Sequence, residues 1–273
     1  MKSNCLCAQR TTFTKVINFS ALPAFPQYQN IIIGRCNSCG QLKTFWPKKS
    51  TANPQASRAA MYEEHAPALQ KEFAPLLRSL HSLLPNKAAV LDVGCASGIL
   101  VDLLNKEGFH AWGIEPNKKA FRLAQKKLGR KVFLGTLKKY LSTKPTQKFD
   151  CLIYNHVLEH VTSPLAELSL VKKILKPGGL LIIGVPNVRN FVFALRRGYW
   201  ESLMPLEHVW HFNDRVLQKV LLANGFRTLS KTFSNHSRKD YPLLKRMYFE
   251  VLIWFNKLAR TSEAVLFVTR FIE

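Results

Sequence analysis

From residue 88 onward, short apolar runs alternate with stretches whose apolar residues recur at helical spacing. The run 88–93 reads as a buried strand, followed by a Gly-bearing turn and a helix through Leu100, Leu103 and Leu104 that stops at Gly108. A second strand is predicted over 109–115, with Pro116 at the first position of a helix over 117–128 that ends at Gly129. Strands three and four follow at 131–134 and 149–154. Pro164 then opens a helix through Leu168, Val171 and Leu175, which Pro177-Gly178-Gly179 breaks before a fifth strand at 180–185. Strands and helices alternating at this interval make βαβ units, which right-handed crossovers wind into a parallel sheet covered on both faces. The expected fold class is α/β, doubly wound.

Beyond the fifth strand, Asn213 caps a helix through Val216, Leu217, Val220 and Leu221 that ends at Gly225. Strands six and seven are predicted at 226–233 and 264–272, which makes the sheet seven-stranded. Between them, 241–260 reads as an inserted apolar helix with a stripe of Leu244, Met247, Tyr248, Val251, Leu252, Phe255 and Leu258/Ala259. Phe249, Ile253 and Trp254 fall on other faces, so packing the stripe would leave large apolar groups uncovered. Such a helix wants a second partner. Upstream, 62–84 carries apolar residues at helical spacing, and 46–54 is polar and Pro-rich, with the composition of a linker. These features divide the chain into a cysteine-bearing module at 1–47 and a main domain at 55–273.

An apolar fraction of 47% excludes a disordered chain. Lys and Arg number 40 against 17 Asp and Glu, a formal charge of +23 that attracts phosphates and anionic membrane surfaces. The basic residues are dispersed (Lys48/Lys49, Lys118/Lys119, Lys126/Lys127, Lys138/Lys139, Arg196/Arg197), so nucleic acid is the less favoured partner. The N-terminus lacks the apolar core of a secretory signal, and no apolar run reaches the roughly 20 residues of a spanning helix. A cytoplasmic, reducing setting is therefore expected, with peripheral membrane contact through 241–260 as an option.

In that setting cysteines read as ligands or free thiols. Cys36-Asn37-Ser38-Cys39-Gly40 has the C-x-x-C-G form of a zinc knuckle, whose two thiolates take adjacent tetrahedral positions. Cys5 and Cys7 are the expected partners, and the site would be structural, because four thiolates leave no open position. Cys95 and Cys151 lie alone in apolar strand contexts.

After strand one comes Asp92-Val93-Gly94-Cys95-Ala96-Ser97-Gly98. In an open α/β sheet, ligands bind beyond the carboxyl ends of the strands, where this turn lies. Strand two ends in Glu115, about 20 residues further on, where a carboxylate accepts hydrogen bonds from both hydroxyls of a ribose. A dinucleotide site wants G-x-G-x-x-G, whereas Gly94 and Gly98 make only G-x-x-x-G. The pyrophosphate cradle is missing. S-adenosylmethionine, a nucleoside with no phosphate, fits the pattern better.

With VLDVGCASG, GIEPN, FDCLIYNHVLEHVTSP and LKPGGLLIIGVPN, the chain resembles the Rossmann-like class I S-adenosylmethionine-dependent methyltransferases over roughly residues 88–233. The resemblance is greatest to the broad group that includes the ubiquinone-biosynthesis O-methyltransferases. It implies that the turn from Asp92 through Gly94, Cys95, Ala96 and Gly98 lines the methionine arm. It further implies that Glu115, followed by Pro116, holds the ribose, that Thr136 and Leu137 flank the adenine, and that Asn155 with His156 close the pocket. Relatives in this group often carry an N-terminal zinc ribbon with two C-x-x-C pairs, and here Asn4 stands where the first cysteine is expected. The expected cofactors are S-adenosylmethionine and a structural zinc.

The sulfonium already carries an activated methyl group, so the protein has mainly to align a nucleophile and exclude water. A neutral hydroxyl or protonated amine also needs a base, and the candidates are His156 and His160 after strand four and His208 in Glu207-His208-Val209-Trp210-His211-Phe212. His208 is the preferred base, and His211 reads equally as a packing residue. Some quinone-forming relatives place a divalent metal on an E-x-x-E-H version of the first segment. Here His156 replaces the first carboxylate, which disfavours a hard cation, and Glu159-His160 reads instead as a structural cap or salt link.

The leading function is methyl transfer to a small-molecule, glycan or lipid-precursor acceptor. An RNA or protein methyltransferase docking through its basic surface is the alternative. Against RNA, Tyr154-Asn155-His156-Val157 stands where an N/D-P-P-Y/F tetrad would hold a base amine. A noncatalytic module with the same fold is disfavoured by the intact cofactor motifs. The inserted helix is expected to cover the acceptor pocket and to touch an anionic membrane or a second subunit of a homodimer.

Overall fold

The computed structural model describes residues 1–7, 10–22, 24, 26–47, 66–236, 238 and 240–272. Most of the predicted linker and the start of the main domain lie outside the described residues. Strands β1 (Lys2–Asn4), β2 (Arg10–Asn18), β3 (Ile32–Cys36) and β4 (Leu42–Phe45) form an antiparallel meander. Helix α1 (Ala66–Leu83) leads into β5 (Ala89–Val93), α2 (Ile99–Lys106), β6 (His110–Glu115), α3 (Lys118–Leu128), β7 (Val132–Leu134) and α4 (Leu137–Ser142). Then come β8 (Phe149–Asn155), α5 (Pro164–Ile174), β9 (Leu175–Pro186), α6 (Phe191–Arg196) and a short β10 (Trp210–His211). The chain closes with α7 (Asp214–Ala223), β11 (Phe226–Ser234), α8 (Leu243–Leu258) and β12 (Ala264–Phe271).

The main sheet has seven strands in the order β11-β12-β9-β8-β5-β6-β7, with β5 to β9 all parallel. Strands β8 and β9 are near-continuous apolar runs because both of their faces are covered. One face packs Leu76 and Leu80 of α1, Leu100 and Leu104 of α2 and Ala124 of α3. The other carries Leu168 and Val171 of α5, Leu217 and Leu221 of α7, and the meander's Leu6 and Phe13. Fully burying one such aliphatic side chain contributes about 1.5–3 kcal/mol, so the core does not depend on any single contact.

Three local expectations are corrected. Pro116 does not open α3; Asn117 is its cap and accepts from Lys119 N and Ala120 N, so the proline stands one residue before the cap. Leu175 ends α5 and begins β9, so strand five starts before Pro177-Gly178-Gly179. Strand β12 runs antiparallel to both β9 and β11. The cause is α8, which packs against α6 rather than crossing the sheet, so the chain re-enters at the end it left.

The meander continues into the main domain. Its edge strand β4 pairs with β10. Gln41 Nε2 donates to His211 O (2.7 Å), Thr44 Oγ1 to His208 O (2.6 Å) and Trp46 Nε1 to Pro205 O (2.9 Å). No described helix is long and apolar enough to cross a membrane.

Most of the predicted stripe on α8 is exposed, and of its members only Leu252 is buried. Phe249, Leu252 and Asn256 are the buried residues of the helix, whereas Leu244 is 82% and Leu258 70% exposed. The polar Asn256 sets this orientation, since its Oδ1 accepts from Phe191 N at 2.8 Å and its Nδ2 donates to Asn235 Oδ1 at 3.1 Å.

Candidate active site

A cleft of about 450 Å³, within the usual range for small-molecule sites, opens along the carboxyl edge of the parallel strands. The turn after β5 supplies Asp92, Gly94, Cys95, Ala96 and Ser97, and the end of β8 supplies Asn155 and His156. Gly184 and Val185 of β9, Ala264 to Leu266 of β12, and Thr232, Ser234, Asn235 and His236 at the end of β11 continue the wall. The reversal of β12 brings its amino end to this edge. Phe73 and Leu76 of α1 close one side.

Local conformation explains the turn. Gly94 has φ +80°, and a Cβ there would meet Val157 Cγ2 at 2.5 Å, so both backbone and space require glycine. Ala96 is held at φ +48°, unusual for a residue with a Cβ, while its N–H donates to Glu115 Oε2 at 2.9 Å. Asn117 N–H donates to the other oxygen, Oε1, at 2.7 Å. Glu115 therefore ties the first turn to the second. Ser97 Oγ is buried in the cleft wall and makes no hydrogen bond among the described residues, which fits a ligand that brings its own polar groups.

Two carboxyls sit under this turn. Burial, aided by the charge of Glu115, raises Asp92 to about 7. Burial raises Glu115 as well, against the opposing hydrogen bonds from Asn117 and Ala96. A cationic ligand with a sulfonium and an ammonium group would relieve both.

Of the residues assigned to the cofactor, Asp92, Gly94, Cys95, Ala96, Asn155 and His156 line the cleft. Gly98, Glu115, Pro116, Thr136 and Leu137 are not among its lining residues. Gly98 caps α2 at φ +79°, and Thr136 caps α4 by accepting from Lys139 N at 3.3 Å. Leu137 is fully buried in the core, so it presents no surface to an adenine here.

The histidines separate into two groups. His156 lines the cleft in a left-handed conformation (φ +55°), with Nδ1 3.2 Å from Glu159 Oε1. It follows β8 in a turn, so the helical spacing expected for His156, Glu159 and His160 is absent, although the His156–Glu159 contact forms. Burial alone would raise the Glu159 pKa. The hydrogen bond from His156 and the charges of His156, His208 and His160 outweigh it and hold the carboxyl below its usual range.

His208, the preferred base from sequence, does not line the cleft. It is buried beside His160 (ring centroids 4.7 Å apart) and His211 (6.2 Å), beneath the meander. His160 Nδ1 lies 3.1 Å from Glu207 O, and His211 Nε2 2.8 Å from Thr44 Oγ1. Burial, with the charge of His208, puts the His211 pKa well below the usual histidine value. Glu159, His160 and His208 nonetheless bring one ligand atom each within 4.8 Å of one another.

No sequence motif surrounds His236. It lines the far end of the cleft with Nε2 2.6 Å from Ser202 Oγ. The protein around its ring lowers its pKa, an effect that the charge of Glu263 opposes and that of Arg238 reinforces.

The four cysteines meet. Cys5 and Cys39 Sγ are 3.5 Å apart, Cys7 and Cys36 Sγ 4.0 Å, and all four lie within 4.8 Å. Zn–S bonds of about 2.3 Å in a tetrahedron put sulfurs about 3.8 Å apart, so the quartet can hold such an ion. Gly40 takes φ +77° and donates to Cys36 O (2.9 Å), closing the knuckle. A hydrogen bond from Cys5 is the main reason that the Cys39 thiol falls to about 5, while the Cys5 thiol is raised. A metal bound here would displace the remaining thiol protons to solvent.

A family model described as a methyltransferase domain matches residues 62–231. The ubiquinone biosynthesis O-methyltransferase of Albidiferax ferrireducens is 29% identical over 222 residues, covering 74% of this chain and 87% of that protein. Its human mitochondrial counterpart is 26% identical over 213 residues, covering 68% of this chain. The chain spans only 55% of the length of that relative. Among solved structures, a SAM-dependent methyltransferase from Archaeoglobus fulgidus superposes with a TM-score of 0.57 at 18% identity, covering 78% of this chain and all of the other. Magnesium protoporphyrin IX methyltransferase from Synechocystis, solved with bound SAH, gives 0.53 at 16%, covering 80% and 89%. The strand order with its reversed last strand, the cleft at the carboxyl edge and the matched domain agree: this chain belongs to the S-adenosylmethionine-dependent methyltransferases of class I.

Proposed function

We propose that the chain methylates a hydroxyl of a small-molecule acceptor, with His156 as general base oriented by Glu159. The observation that carries this reading is the position of His156, in the cleft wall next to Asn155 and backed by the buried Glu159. S-adenosylmethionine supplies an activated methyl group when bound. Asp92, Gly94, Cys95, Ala96 and Ser97 would hold its amino-acid arm, and Glu115 its ribose. A neutral His156 donates Nδ1–H to the Glu159 carboxylate, which keeps Nε2 in the proton-accepting form. As the acceptor oxygen attacks, its proton passes to Nε2, and the buried Glu159 charge stabilises the imidazolium. An oxygen acceptor is supported by the O-methyltransferase names of the relatives. The turn after β5 and the β11 end, with Asn235 and His236, are four strand spacings apart, about 19 Å, which leaves length for an acceptor beside the cofactor.

We further propose zinc for the cysteine quartet, in a structural role that fixes the meander. The domain division near residue 47 follows from it: the metal organises 1–47, and the pairing of β4 with β10 attaches that module to the rest.

The test is methyl transfer from S-adenosylmethionine into fractionated small-molecule extracts, with mass detection of the product. Wild type should add a methyl group to a hydroxyl compound, and His156→Ala should not. Methylation of RNA or protein fractions alone would refute the acceptor class.

A further inference from the structure

A second cavity, of about 520 Å³, lies between the meander and helix α6, away from the cofactor cleft. Arg35 of β3, with Arg189 and Arg197 at the two ends of α6, lines it, and no acidic side chain does so among the described residues. Arg189 is neutralised by Asp214, with Nε donating at 2.6 Å. Arg35 and Arg197 are exposed and make no side-chain hydrogen bond or ion pair among the described residues. Two guanidinium groups lining one cavity, with no counter-charge among the described residues, select an anion with several oxygens, such as a phosphate ester.

Beside the cavity lies the outward face of α8. Phe191 lines the cavity and packs on Phe255 (ring centroids 5.5 Å), and Ala259, just after the helix, lines it as well. From Phe255 the apolar surface runs on through Leu244, Met247, Val251, Trp254 and Leu258. At 100° per residue these share one arc, opposite the buried Phe249, Leu252 and Asn256. The single acid on the helix, Glu250, is paired with Arg246 at 2.8 Å, and Lys245 and Lys257 are exposed. No α8 residue lines the cofactor cleft, so the helix is not a lid over it in this state.

We propose that this face docks the protein on an anionic phospholipid surface, with α8 lying in the interface and a lipid phosphate held between Arg35 and Arg197. An amphipathic helix flanked by basic residues has this chemistry, and the chain's charge of +23 supplies long-range attraction to the same surface. A second copy fits less well. A helix of 16 residues is about 24 Å long and about 10 Å wide, so its face offers about 240 Å², against about 800 Å² per partner in a standard interface.

The experiment is co-sedimentation of the full chain with phosphatidylcholine vesicles, with and without phosphatidylglycerol. Binding should require phosphatidylglycerol and fall with added salt. Trp254→Glu should abolish it, and Arg35→Glu with Arg197→Glu should weaken it by at least about tenfold. Circular dichroism should show all variants folded, since every substituted side chain is exposed. Variants that bind like wild type, or wild type that ignores phosphatidylglycerol, would overturn the proposal. So would a dimer, seen by light scattering, that Trp254→Glu dissolves. Saturable binding of inorganic phosphate without vesicle binding would assign the cavity to a soluble phosphate instead, and would equally overturn it.

Discussion

His156 and His208 come from segments with similar credentials in sequence, yet the fold gives them opposite situations. His156 sits just after a parallel strand, on the carboxyl rim of the sheet that lines the cleft. His208 lies under the cysteine-bearing meander, its carbonyl bonded to Thr44, a residue more than half the chain away. A histidine next to a matched motif is therefore not a base until the tertiary structure gives it access. The same contrast separates the two carboxylates: Glu159 backs a cleft histidine, whereas Asp214 neutralises Arg189 outside the cleft.

The largest test of this division lies in the buried region. Cys36 is 1% exposed in the cysteine quartet, and Cys36→Ser should remove the proposed metal and destabilise the meander by several kcal/mol. Elemental analysis of chelator-free wild type should give about one zinc per chain. A metal-free, folded wild type would remove the proposed reason for the meander.

Next comes the comparison itself. His156→Ala should lower kcat by about 10²- to 10⁴-fold with little change in thermal midpoint. His208→Ala should do the reverse, costing about 1–3 kcal/mol of stability while leaving kcat nearly intact. Steady-state kinetics beside thermal melts of both variants checks the pair, and exchanged outcomes would return His208 to the active site.

A smaller effect is expected from Asp92, raised to about 7 by burial and by the charge of Glu115. S-adenosylmethionine carries net positive charge and favours the ionised carboxylate, so its affinity should rise with pH through about 7. Asp92→Asn should flatten that rise. For stability of the free protein the sign is opposite. A carboxyl raised on folding contributes most below its ordinary pKa and loses that contribution as pH climbs through about 7.

Legibility followed the same boundary. The turn Asp92–Gly98, Glu115 and the positions of the strands along the chain were readable because their signals are local: glycines where the backbone is left-handed, and apolar runs where both faces are covered. The reversed β12 was not, because direction depends on whether α8 crosses the sheet, and helical spacing does not say where a helix packs. Which face of α8 packs inward was not readable for a related reason. The helix is apolar on most sides, and the deciding contact is a polar one, Asn256 to Phe191 N. His236 carried no signal beyond its own identity.

The central claim, that the cleft takes S-adenosylmethionine with Glu115 at its ribose, is tested most directly by calorimetric titration of wild type and Glu115→Ala. Wild type should bind one equivalent, and the variant should bind about 1.5–3 kcal/mol more weakly, from lost ribose hydrogen bonds and a loosened turn at Ala96 and Asn117. No binding by wild type, or equal affinity in the two proteins, would contradict it.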